Sequence, residues 1–150
     1  MNWFKDKNNK ILCALLCGAF LVAVIYSSYF RIVPLTDADA YDAIAQHLVE
    51  GKGYVENADL PPEEDSAIGR VGPGYQFFLY LVYKVFGHHF EVVWVIQALL
   101  HVLTGGVIYL IAKSSFGEYK EAIGLISSSF YILFVDVMQM SGMIMTESLF

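Results

Sequence analysis

Long apolar stretches alternate with polar segments of very different character along this chain. Residues 11–30 and 92–112 run for 20 and 21 positions without a charged side chain, and residues 122–145 run for 24 with one, Asp136. About 20 apolar residues carry a helix across a hydrocarbon core roughly 30 Å thick, so each stretch predicts a transmembrane helix. Between the first two lies a longer polar segment with two shorter patterned stretches. In residues 38–50, Tyr41, Ile44, Ala45 and Leu48 recur at helical spacing. Thr36 or Asp37 stands where an N-cap belongs, and Gly51 and Gly53 follow where such a helix ends. In residues 74–86, apolar side chains point to nearly every side and six are aromatic. Pro73 precedes them at a position where its missing N–H costs nothing. This second stretch is too short to span, and its aromatic content predicts a helix lying at the membrane interface. The expected fold class is therefore all-α: a polytopic membrane protein with three transmembrane helices and two short juxtamembrane helices in the first loop.

Charge sets the expected orientation. Lys5, Lys7 and Lys10 precede the first stretch, and Lys113 and Lys120 lie between the second and third. Basic residues favour the cytoplasmic side, so residues 1–10 and 113–121 are expected inside. Residues 31–91 and 146–150 are then outside. The outer loop holds ten acids and four bases, a balance of −6 that equals the charge of the whole chain. The first stretch exceeds a usual signal-peptide core, and Tyr26, Ser27, Ser28 and Tyr29 make a poor cleavage site, so an uncleaved anchor is expected.

Composition agrees. Hydrophobic residues make up 57% of the chain and charged residues 16%, whereas soluble domains carry about a quarter charged. No basic patch suits a nucleic acid. The two cysteines, Cys13 and Cys17, sit four apart within an apolar run and read as small packing residues, not as a disulfide or zinc framework.

A series of short motifs then appears in order. Asp37, Asp39 and Tyr41 are followed by Ala45, Leu48, Gly51, Gly53 and Tyr54. Arg70, Gly72, Pro73, Gly74 and Tyr75 come next, then Phe78, Leu79, Phe86, Gly87, Phe116 and Gly117. Ser141, Gly142, Thr146, Glu147 and Ser148 close the series. This pattern resembles the N-terminal part of the GT-C type, family 39-like membrane glycosyltransferases. These use polyprenyl-phosphate sugars and include protein O-mannosyltransferases and the lipid A aminoarabinose transferase. Members of that family are much longer, so the resemblance implies that the chain is an N-terminal fragment, inactive alone. It implies transfer of a sugar from a polyprenyl-phosphate carrier to a lipid, glycan or protein acceptor on the extracytoplasmic side, with inversion. A bacterial plasma membrane is the expected location. A divalent cation is a candidate cofactor.

Each candidate residue also has a plainer reading. By itself Asp37 reads first as an N-cap, since caps are common; the resemblance reverses that and implies it as the catalytic base. Asp39 can share that role or contact a cation. Glu147 emerges on the same expected side as Asp37, and the resemblance implies a substrate or metal contact there; the plain reading is a helix-end carboxylate. Arg70 before a helix start suits the carrier phosphate, or a lipid headgroup. Lys84 has the same two readings. Asp42, three residues from Asp39, reads as part of a solvated face. His88 and His89 read as polar loop residues. Gln97 and His101 share a face and are expected to bond across helices. Asp136 is costly inside a bilayer and predicts a cavity or a partner; related chains often carry Pro near it. The competing reading is a small non-catalytic membrane subunit packing through residues such as Gly105, Gly106, Ser127, Ser128 and Ser129.

Overall fold

A computed structural model describes residues 7–61, 64, 65 and 72–148. Among them are six α-helices: α1 (Lys7–Phe30), α2 (Asp37–Val49), α3 (Pro73–Phe86), α4 (Phe90–Ser115), α5 (Lys120–Ile132) and α6 (Val135–Met140). A 3-10 turn, Thr146–Ser148, follows. The all-α expectation is met. Two helices, α1 and α4, are long and apolar enough to cross a membrane.

The long helices form an antiparallel bundle whose register can be read from its contacts. At one end Asn8 donates to Glu121, and Lys113 pairs with the same carboxylate at 3.1 Å. One level along, the Tyr109 hydroxyl donates to Asn9 at 3.3 Å. Ala19, Val102 and Ile132 share a buried cluster midway. At the far end Arg31 pairs with Glu91 at 2.5 Å. Both partners of that last pair are exposed by half or more, so water and salt screen it and it marks the register without holding the bundle together.

The helices pack through small residues. Helix α1 buries Leu12, Ala19, Ala23 and Ser27 at helical spacing, and α5 buries Gly124, Ser128 and Ile132 every fourth residue. The outward faces are the reverse. Leu21, Ile25, Leu103, Leu110, Ile126 and Phe130 are all exposed. Small residues inside and large apolar residues outside is the arrangement expected where hydrocarbon surrounds the bundle, because lipid offers helices no hydrophobic drive to associate.

Residues 122–145 do not form the single helix expected. The chain breaks after Ile132: Leu133 closes α5, Phe134 is extended (φ −69°, ψ 114°), and α6 starts at Val135. His101 of α4 supplies a reason. Its Nε2 lies 3.2 Å from the Ile132 carbonyl, an acceptor only, so Nε2 carries the proton and caps a group that the broken helix leaves bare. Asp136 then falls in the exposed first turn of α6, where the helix dipole favours a carboxylate. The side chain of His101 is buried. His101→Leu should strand the carbonyl and destabilise the fold by about 1–3 kcal/mol, measured by denaturant unfolding in detergent.

Helices α2 and α3 pack on each other beside the start of α4. Ile44 and Ala45 are fully buried, Tyr41 and Leu48 partly so, as the stripe predicted. Gly51 (φ 78°) takes the left-handed conformation just past α2, which only glycine adopts without strain. One apolar cluster holds Ala38 and Ala45 of α2, Tyr75, Leu79, Val82 and Tyr83 of α3, Val93 of α4, and Ile144.

Candidate functional site

That shared cluster collects chain ends at one pole of the bundle. It contains Ala38, directly after Asp37, and Ile144, three residues before Glu147; Met145 packs against it. Asp37 and Asp39 occupy the exposed first turn of α2, where negative charge meets the positive end of the helix dipole. Thr36 stands at the N-cap without a side-chain capping bond and with φ at 56°, an uncommon value for a β-branched residue. The local strain falls directly before Asp37.

Glu147 is exposed in the 3-10 turn, and its Oε2 accepts from the Thr146 hydroxyl at 3.1 Å. It borders a cavity of about 60 Å3 lined also by His101, Thr104, Tyr131, Ser141 and Ser148. The turn is held by Gln97. Its Nε2 lies 3.0 Å from the Met143 carbonyl and 3.3 Å from the Tyr75 hydroxyl, and it donates to Ser148 Oγ. Gln97 and His101 thus bond across elements, as expected of them. Burial pushes the Tyr75 phenol far above its ordinary pKa, although bonds from Ser148 and Gln97 oppose the shift. Tyr75 therefore remains a neutral hydroxyl able to donate.

Lys84 lies exposed in the last turn of α3. Its Nζ donates to the Tyr80 hydroxyl at 2.8 Å and lies 5.2 Å from that ring's centre. Arg70 falls outside the described residues. Asp37 and Glu147 belong to different elements, and what links their segments is the cluster that holds Ala38 and Ile144. Among the described residues no three His, Cys, Asp or Glu side chains converge as a metal cage would require.

The pattern reading of Asp42 is overturned. It is not on a solvated face: the residue is 6% exposed and its carboxylate meets three side-chain partners. Oδ1 accepts from the Tyr83 hydroxyl at 2.5 Å and Oδ2 from Gln46 Nε2 at 2.7 Å. His88 Nε2 lies 2.9 Å from Oδ1 and 3.1 Å from Oδ2. His88 is accordingly more than a polar loop residue. Burial and the adjoining Asp42 carboxylate drive the Tyr83 phenol far above its ordinary pKa, so it stays protonated and donates. Local periodicity could not find this group, because Tyr83 and His88 lie 41 and 46 residues along the chain from Asp42.

No curated protein and no solved structure matches the chain. A family model described as dolichyl-phosphate-mannose-protein mannosyltransferase matches residues 70–148. The match takes in Lys84, Gln97 and Glu147 and begins at Arg70, while Asp37 and Asp39 precede it. It covers more than half of the 150 residues, including α3 to α6 and the turn that carries Glu147. The chain therefore belongs to the dolichyl-phosphate-mannose-protein mannosyltransferase family.

Proposed function

We propose that this chain takes part in moving a sugar from a polyprenyl-phosphate carrier to an acceptor at the extracytoplasmic face of a membrane, with inversion at the anomeric carbon. Family membership supports the reaction class. The observation that carries the reading is the single apolar cluster joining the start of α2 to the segment before Glu147. It favours one working face for carboxylates 110 positions apart.

In this reading α1 and α4 cross the membrane, and α5 and α6 together make the third crossing. Their 13 and 6 residues rise about 28 Å as helix, and the extended step between them makes up the rest. The N-terminus and Lys113 are cytoplasmic.

Chemically, Asp37 takes the proton of the acceptor hydroxyl as the acceptor oxygen bonds to the anomeric carbon. The bond from that carbon to the carrier phosphate oxygen breaks, and the polyprenyl phosphate leaves with the electron pair. Arg70 and Lys84 offset its charge. Glu147 and Asp39 orient the sugar or hold a divalent cation.

Sidedness can be measured with an impermeant thiol reagent on intact cells. The background is a variant lacking Cys13 and Cys17. Asp37→Cys and Glu147→Cys should both react from outside, before the membrane is opened. Reaction of the two from opposite sides would remove the shared face and the mechanism with it.

A further inference from the structure

Asp37 reaches solvent from the first turn of α2, so its aim depends on how that helix is held. Apolar packing holds α2 through Ala38, Ile44 and Ala45, but such contacts are non-directional and tolerate small rotations. Asp42 adds directional contacts to α3 and to the corner that follows it. It lies five residues after Asp37, about 7.5 Å along the same helix. A buried carboxylate must be fully bonded to be tolerated. Asp42 meets that need with Tyr83 from α3 and His88 from the corner between α3 and α4, besides Gln46 of its own helix.

We infer that Asp42, Tyr83 and His88 form a clamp that fixes the rotation of α2 and thereby aims Asp37, making all three positioning residues for sugar transfer. The inference rests on Asp37 being the base. The corner is well placed for the task. Gly87 (φ 82°) turns the chain sharply so that His88 faces back onto Asp42. The imidazole is wedged edge-on between the Tyr83 and Phe90 rings, with centres 4.8 and 4.9 Å away. Phe90 begins α4, so the clamp refers α2 to the helix bundle rather than to α3 alone.

The test uses the protein expressed from the full open reading frame that encodes it. Amide hydrogen exchange across α2 and steady-state transfer kinetics with a polyprenyl-phosphate sugar are both measured. Asp42→Asn and His88→Ala should each speed exchange in α2 while α1 and α4 keep their protection. Each should lower kcat about 10- to 100-fold, as an ångström of misplacement does, with donor KM nearly unchanged. His88→Gln keeps a donor and should recover most of the lost rate. The double variant Asp42→Asn with His88→Ala should fall no further than the worse single one, because the residues act as a unit. His88 is partly exposed on a corner, so its variants are expected to fold even where Asp42→Asn does not. Unchanged exchange in α2 for His88→Ala overturns the clamp. Loosened α2 with full kcat overturns the positioning role. A wild-type protein that transfers no sugar defeats the underlying reaction, and the positioning role with it, while exchange still decides the clamp.

Discussion

Asp37→Asn is expected to lower kcat for sugar transfer by about 10²- to 10⁴-fold, the range that a positioned general base contributes. The replacement keeps the shape of the side chain and removes its ability to hold the acceptor's proton. Because Asp37 is exposed and Thr36 makes no side-chain cap, no buried group loses a partner. The lost charge at the start of α2 costs about 0.3–1 kcal/mol of dipole interaction, too little to unfold the protein. Hydrogen exchange in α2 should therefore speed up by no more than about fivefold, the equivalent of that loss, while turnover collapses. That combination separates Asp37 from the clamp residues, whose substitution moves both readouts. Turnover within about twofold of wild type would assign Asp37 to helix stability alone; such a change is worth less than 1 kcal/mol of barrier.

Gly105→Ala is expected to destabilise the bundle by about 1–3 kcal/mol, the usual cost of overpacking. A methyl at that position would stand 2.3 Å from Cγ2 of Ile132 and 3.5 Å from Leu16 Cδ2 and Ser128 Oγ. Ile132 is fully buried and β-branched, so it has little freedom to swing aside. Relief would come by moving α5 off α4, which also pulls the Ile132 carbonyl from His101. Denaturant unfolding in detergent measures the loss. Adding Ile132→Ala to Gly105→Ala removes the obstructing methyl, so the pair should cost less than the sum of the two single changes. Strict additivity, or an unshifted midpoint for Gly105→Ala, would mean that the two helices do not meet there.

The features legible in the sequence are those set by short-range interactions. Helix α2 was expected over residues 38–50 and spans Asp37–Val49; α3 was expected over 74–86 and spans Pro73–Phe86. Both rest on signals within a dozen residues: a periodic stripe, a proline at the start, glycines at the end. The long apolar helices were legible for the same reason and merely extend further into polar flanks, as α1 does to Lys7 and α4 to Ser115. The break after Ile132 was hidden. Residues 130–137 contain no Gly or Pro, and the group that satisfies the freed carbonyl, His101, lies 31 residues earlier on another helix.

The site shows the same division. Asp37, Asp39, Lys84 and Glu147 are exposed, and an exposed residue's surroundings are largely those its own segment predicts. Asp42 is different. On a helical wheel it borders the apolar stripe, and a charge there defaults to water because burying it alone is costly. What reverses the default is a tyrosine and a histidine delivered by the turn between α3 and α4.

From its order of residues alone this chain commits to helices, to an apolar exterior and to acidic groups at the helix starts, since backbone hydrogen bonding and hydrophobic periodicity act over a few turns. Which carboxylate is buried, where the last long apolar stretch breaks and which glycines admit a neighbour depend on side chains brought together from separate helices. Those outcomes emerge only on packing, because the energy of a buried polar group is set by its partners rather than by its place in the chain.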